Sequence, residues 1–172
     1  HAKTCYGRTP LHDASDLDMI RLLVEFGGDL DALDRFGETP LAVSISHDHP
    51  NRALMFIRAG ADVNARCRDG TVLTEAVDRA RPRVVDALLE RGADPDGVNG
   101  DGESALQTAS HLAIPEGEEM GLSLLRRGAR AEVGKEPVDN VVHRAVMKKH
   151  LRLLKALIDK GVKLRWSSDL KI

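Results

Sequence analysis

The chain has 172 residues and a net charge of −2, so composition does not indicate a general polyanion binder. Its 42% apolar content suits a folded protein, and only 3% aromatic residues predict a core of Leu, Val, Ile and Ala. No apolar run reaches the roughly 18 residues that a membrane-spanning helix needs, so we expect no membrane association.

One short phrase recurs five times along the chain, and each copy opens with glycine. The copies begin at Gly27, Gly60, Gly92, Gly128 and Gly161, which are 33, 32, 36 and 33 residues apart. Self-similarity at this period indicates a repeat array in which each unit is one supersecondary element. Such units stack on their neighbours and share one continuous core.

The first unit carries the clearest motif, Gly-Arg-Thr-Pro-Leu-His-Asp-Ala at residues 7–14, which resembles the ankyrin repeat signature Thr-Pro-Leu-His-x-Ala. Thr9 can cap a helix, and Pro10 can occupy its first position without losing a hydrogen bond. The resemblance implies a structural His12 whose ring bonds the backbone near the next repeat. Only 16 residues separate Leu11 from Gly27, against 19 in repeats two, three and five, so we expect a shortened first helix or turn.

Repeat two begins with a hairpin whose tip is Asp34-Arg35-Phe36-Gly37, and helices follow at 42–45 and Arg52–Arg58. His47 and His49 fall in the turn between these helices and invite a metal interpretation. They are two residues apart in a loop with no third ligand nearby, so we expect no metal there. Asn64 stands where some ankyrin proteins are hydroxylated, and we interpret it first as a structural turn residue.

Residues 94–102 resemble a calcium-binding loop at first sight. Counted from Asp94, positions five, six and twelve are Val98, Asn99 and Ala105, where an EF-hand requires an oxygen ligand, Gly and Glu. We therefore interpret the segment as the hairpin between repeats three and four. The helices of repeat three are predicted at Leu73–Ala80 and Arg83–Arg91.

Repeats four and five are irregular. Three extra residues fall within Leu112–Glu119, where Pro115 and Gly117 are predicted to prevent one continuous helix and three glutamates to begin the next. Residues 144–172 hold nine Lys or Arg against two Asp or Glu, whereas the remainder holds 16 against 25. Such asymmetry can mark an interaction surface. Trp166 follows the last glycine.

The resemblance covers about residues 4–165 and implies an all-α ankyrin-repeat solenoid with short β-hairpins. We predict one domain over residues 1–172, with repeats at about 4–33, 34–66, 67–98, 99–134 and 135–166, and a truncated tail at 167–172. Because the chain starts at His1 and not at Met, we interpret it as an excised fragment. Cys5 and Cys67 lack metal-ligand spacing and are expected to be free thiols in an intracellular protein, cytoplasmic or nuclear.

In the family the hairpins and first helices line a concave surface that binds proteins. The resemblance therefore implies an interaction module or scaffold that binds a protein or peptide as a monomer, without catalysis, cofactor or metal. The predicted partner-binding positions lie at the hairpin tips: Arg35, Phe36, Glu38, Arg66, Arg68, Asp69, Val98, Asp101 and Glu103.

Two alternatives stay open at this stage. The chain could be a targeting or regulatory domain of a larger enzyme whose catalytic part lies elsewhere. It could also contact an anionic surface or nucleic acid through the basic fifth repeat. Lys148, Lys149 and Arg152 lack interleaved aromatics apart from Trp166, so solvated helix faces are the simpler interpretation and we expect no nucleic-acid binding.

Overall fold

The computed structural model describes residues 4–132 and 138–162, which form ten α-helices and one antiparallel two-stranded hairpin. The architecture is all-α with short hairpin strands, as the sequence predicts. The strands are β1, Arg66–Cys67, and β2, Gly70–Thr71. The helices are α1 Pro10–Asp13, α2 Leu17–Glu25, α3 Pro40–Ser46, α4 Pro50–Ala59, α5 Val72–Asp78, α6 Pro82–Glu90, α7 Ala105–His111, α8 Glu116–Arg126, α9 Val138–Met147 and α10 Leu151–Asp159.

The helices form five consecutive pairs that stack in a row. We call the odd-numbered members the first helices and the even-numbered members the second helices. Each first helix packs on its own second helix, on the preceding first helix and on the following one, and the second helices form a parallel series of contacts from α2 to α10. This arrangement is the stack of helix pairs that the repeated phrase predicts.

The core is one aliphatic cluster that runs through the whole stack from Leu11 to Leu157. In α6, Val84, Val85, Leu88 and Leu89 are buried, because these positions lie on one side of the helix. Phe56 is the large exception to the aliphatic composition and is fully enclosed. Sharing one cluster among five pairs gives each short helix a buried surface that it could not form alone.

Local hydrogen bonds start the first helices, and α3 and α5 begin two residues and one residue before their predicted starts at 42 and Leu73. Thr39 accepts from the backbone N–H of Ala42, and Ser104 accepts from that of Gln107. In α1 the His12 ring accepts from the backbone N–H of Thr9 through Nδ1 and donates from Nε2 to the Glu38 carbonyl oxygen at 3.0 Å. The structural role predicted for His12 is therefore confirmed, and the ring links the first unit to the second.

The connections between units are tight hairpins. In the third, Arg66 pairs with Thr71 and Cys67 with Gly70. In the fourth, Val98 bridges Ser104, which confirms the hairpin interpretation of residues 94–102. Gly70 has a φ of +134°, and an added Cβ would lie 2.5 Å from the Asn99 Cα, so only glycine allows these two hairpins to approach.

Each of the first three turns that follow a second helix is joined to the next such turn by a hydrogen bond from a backbone N–H group to a side-chain oxygen. Asp62 N–H donates to Asp31 Oδ1, and Asp94 N–H donates to Asn64 Oδ1, each at 2.8 Å. Between the next two turns, Arg130 donates to the Asp96 carboxylate through its backbone N–H and through its guanidinium. Asn64 is thus a structural turn residue, and Asp96 is engaged in an ion pair.

The first and fourth pairs depart from the common pattern. Helix α1 has four residues, against seven in α3, α5 and α7, which confirms the predicted shortening. In the fourth pair the helices are interrupted at 112–115, but Gly117 lies inside α8 and does not break it. A Cβ at Gly117 would lie 2.6 Å from the Ala109 carbonyl oxygen, so this glycine lets α8 pack closely on α7.

Glu118, in the first turn of α8, is buried, and its Oε1 accepts from the backbone N–H groups of Arg152 and Leu153. It therefore satisfies donors at the start of α10, one unit further along the stack. The prediction that the three glutamates of this segment begin the next helix is confirmed.

The two cysteines are both free, and Cys5 is exposed whereas Cys67 is buried. None of the helices within 4–132 and 138–162 is long and apolar enough to cross a membrane. The predicted boundary at 134, Trp166 and the tail 167–172 lie outside the described residues.

Candidate functional site

The hairpin tips are aligned along one edge of the stack by backbone hydrogen bonds. Arg35 N–H donates to the Tyr6 carbonyl oxygen at 2.9 Å, and Gly100 N–H donates to that of Asp69 at 2.7 Å. These bonds join tip one to tip two and tip three to tip four. The backbone groups at the edge are therefore paired with one another and hold the tips in fixed register.

Side chains join the second tip to the third. The Arg68 guanidinium carbon lies 4.2 Å from the centre of the Phe36 ring, and Arg68 Nε lies 3.5 Å from Glu38 Oε2. Phe36 remains 52% exposed even so. The pair presents an aromatic face and a cation together, a combination that is favoured at the centres of protein interfaces.

Two buried acids lie beneath this pair. The Asp34 carboxylate is fully covered and accepts through Oδ1 from the backbone N–H groups of Phe36 and Glu38. Arg8 Nε approaches its second oxygen at 3.5 Å. Glu38 is only 2% exposed, and none of the described residues donates a hydrogen bond to its Oε1. Glu38, one of the predicted partner-binding positions, is therefore buried and not at the surface, because its side chain lies under Arg68.

A polar cavity of about 320 Å³ opens between the hairpins and the ends of α3 and α5. Arg79 pairs with Glu75 at 2.8 Å on its α5 wall. On its α3 wall, His47 Nδ1 lies 3.0 Å from the carbonyl oxygen of Val43. Because a carbonyl oxygen can only accept, Nδ1 is the donor, and Nε2 of the neutral ring is left as an acceptor. The cavity is lined by Arg8, Glu38, Ser46, His47, Arg68, Asp69, Glu75 and Arg79.

The structure brings three of the nine predicted site residues into this cavity and leaves the others around it. Glu38, Arg68 and Asp69 line the cavity, with Phe36 beside them. Arg35 and Arg66 are exposed on hairpins two and three. Val98, Asp101 and Glu103 belong to the fourth hairpin, where Glu103 lies 3.5 Å from His111 and away from the cavity.

The remaining wall residues were not predicted as site residues. Glu75 and Arg79 are four apart on α5, a spacing that places both on one helix face, and this signal was available in the sequence. His47 was considered only as a metal ligand. Among residues 4–132 and 138–162, no group of three or more His, Cys, Asp or Glu side chains is arranged to hold a metal ion.

The first and last helix pairs carry other exposed apolar surfaces. At the first pair, Phe26 is 82% exposed, and Met19 and Leu22 are each half exposed. At the last pair, Met147 and Leu151 are exposed beside the basic residues Lys148, Lys149 and Arg152.

Comparison with known proteins gives consistent matches. A family model described as Ankyrin repeats matches residues 1–67 and 15–99. In solved structures, an ankyrin repeat domain from Acinetobacter baumannii aligns with a TM-score of 0.81 and 24% identity, covering 94% of this chain and 86% of that one.

Curated relatives are much longer than the matched region. A B-cell lymphoma 3 protein homolog from Mus musculus is 33% identical over 90% of this chain and 36% of its own length. E3 ubiquitin-protein ligase KEG from Arabidopsis thaliana is 29% identical over 63% of this chain and 7% of its own length. Protein phosphatase 1 regulatory subunit 27 from Homo sapiens is 35% identical over 42% of this chain and 49% of its own. The chain thus spans less than half the length of each of these relatives.

Proposed function

The chain belongs to the ankyrin repeat family, and from that premise we propose that it is a protein-interaction module which binds a partner protein through its hairpin tips and first helices. The observation that carries the proposal is the Phe36–Arg68 pair. It is exposed at the middle of the row of tips, yet Glu38 and the aligned backbone hold it in place. A preorganised aromatic–cation pair loses little side-chain entropy when a partner covers it.

The free cysteines support an intracellular setting for this interaction, since extracellular proteins more often pair their thiols. The proposal assigns no reaction to the described residues. A regulatory role next to a catalytic domain is compatible with it, because an interaction module can place an enzyme on its substrate. One matched relative is a phosphatase regulatory subunit and another is a ubiquitin ligase.

The test is affinity capture from an extract of the source cells, followed by binding measurements on the captured protein made recombinantly. Phe36→Ala should raise the dissociation constant roughly 5- to 150-fold, corresponding to about 1–3 kcal/mol for a central interface residue. Phe26→Ala is the matched control, because it removes an exposed ring that caps the C-terminus of α2 and is not part of a hairpin tip. It should bind like the parent, and both variants should keep the parent's melting temperature.

The basic last pair is a second candidate surface, because exposed Met147 and Leu151 lie beside three cations there. An amphipathic basic surface of this kind suits an anionic surface or an acidic partner. A third variant, Lys149→Glu, separates the two candidates. Unchanged binding in Phe36→Ala together with lost binding in Lys149→Glu would refute the tip-and-first-helix surface.

A further inference from the structure

In the polar cavity between hairpins two and three, the arginines lie near carboxylates, but not every carboxylate oxygen is paired with a cation of the described residues. Arg79 pairs with Glu75, and Arg8 lies near Asp13 and Asp34 at 3.7 and 3.5 Å. Within residues 4–132 and 138–162, no ion pair is formed by the exposed Asp69 carboxylate. Each arginine of the wall therefore already lies near a carboxylate, although the buried Arg8 Nε makes no hydrogen bond with the described residues, and acceptor capacity on the wall also remains unused.

Glu38 is the clearest unused acceptor. Its side chain is 3% exposed, and Oε1 receives no hydrogen bond from residues 4–132 or 138–162, although Oε2 contacts Arg68. Leaving a carboxylate oxygen buried and unpaired costs free energy, which a cation with hydrogen-bond donors would recover. His47 Nε2, when the ring is neutral, and the Asp69 carboxylate are further acceptors on the same wall.

Glu38 is covered by the largely exposed side chain of Arg68. Arg68 is 59% exposed, and its 3.5 Å approach to Oε2 is longer than a good charge-assisted hydrogen bond. An incoming cation can displace the guanidinium from Glu38 while Arg68 stays stacked on Phe36. An anion is the poorer fit, because it would be repelled by Glu38, Asp69 and Glu75 around the three arginines.

We propose that this cavity is a receptor for a cationic side chain, an arginine or lysine, of the bound partner, with Glu38 as its principal acceptor. The inference rests on the proposed function only in assigning the cation to a protein partner. The recognition itself is charge pairing in a recess, where solvent screens the pair less than on an open surface.

The experiment uses a small probe in place of the partner. N-acetylarginine amide is titrated into the ¹⁵N-labelled chain, and amide shifts are followed by NMR, with N-acetylcitrulline amide as the uncharged probe of the same shape and N-acetyllysine amide as the second cation. We expect saturable shifts at Glu38, Ser46 and His47 with a dissociation constant on the order of millimolar, and no saturation with the citrulline compound. The stronger of the two cations identifies the preferred side chain.

Variants assign the site. Glu38→Gln keeps the shape of the side chain and should weaken arginine-probe binding about tenfold or more. Glu25→Gln, an exposed carboxylate on α2, should leave binding unchanged. Asp69 is exposed, so Asp69→Asn should not disturb folding, and it should weaken binding of the arginine probe about threefold. Arg68→Gln should bind the probe at least as tightly as the parent.

Equal binding of the citrulline compound, shifts confined to other surfaces, or unchanged affinity in both Glu38→Gln and Asp69→Asn would each overturn the cation site. None of these results depends on the unidentified partner. A failed cation site would therefore leave the Phe36→Ala test standing, and a failed Phe36→Ala test would leave the cavity result standing.

Discussion

Stability should depend on where in the stack a core residue is lost. Leu88 in α6 and Leu157 in α10 occupy the same position of their helices, six residues after the first, and both are fully buried. Replacing either by alanine removes the same atoms and leaves a cavity, at a cost of about 2–5 kcal/mol. The neighbours differ, because α6 packs on α4, α5 and α8, whereas the described contacts of α10 are with α8 and α9.

Nearest-neighbour coupling converts this difference into two distinct results. Leu157→Ala should accelerate amide hydrogen exchange in α10 by roughly 30- to 5,000-fold while amides of α4 and α6 keep the parent's protection. Leu88→Ala should accelerate exchange in α4, α6 and α8 together and lower the melting temperature by roughly 5–20 °C. Leu151→Ala, at a 73% exposed position of α10, is the control and should change little.

Nearest-neighbour coupling would be refuted if Leu157→Ala destabilised α4 and α6 as much as α10. That result would mean that the chain unfolds as a single cooperative unit, in which the position of a cavity in the stack has no influence.

Two further predictions concern the turn before α10. Burial lowers the pKa of His150 below its ordinary value of 6.5, so the stability of this region is complete above about pH 6.5 and is lost as the pH falls below it, although Glu118 partly opposes the shift. Exchange protection of α10, corrected for the chemical exchange rate, should fall as the pH is lowered below about 6.5, and a fall of the same size in His150→Leu would contradict the assignment. Lys149 has a φ of +60°, which costs a non-glycine residue about 1 kcal/mol. Lys149→Gly should therefore slow exchange in α10 up to about fivefold, whereas the neighbouring control Lys148→Gly should not, and equal effects would refute backbone strain as the cause.

The sequence by itself determined the repeat architecture and placed most helix starts to within two residues. These features follow from interactions within a few residues: Thr39 and Ser104 cap the helix that each precedes, and glycines end helices or form tips. The hairpin at residues 94–102 was predictable for the same reason, since the ligand spacing of a calcium loop is a local property that this segment lacks. The shortened α1 follows from counting residues between two fixed points.

Only the tertiary structure decided how the tips combine into a site. Phe36 and Glu38 meet Arg68 some 30 positions later in the chain, and the stacking of neighbouring hairpins sets that contact. The same stacking turned Glu38 from an expected surface residue into a buried acceptor and brought Glu118 to the start of α10. Periodicity predicts which units are neighbours, but the side-chain contacts between them depend on the distance and rotation from one unit to the next, which no local pattern encodes.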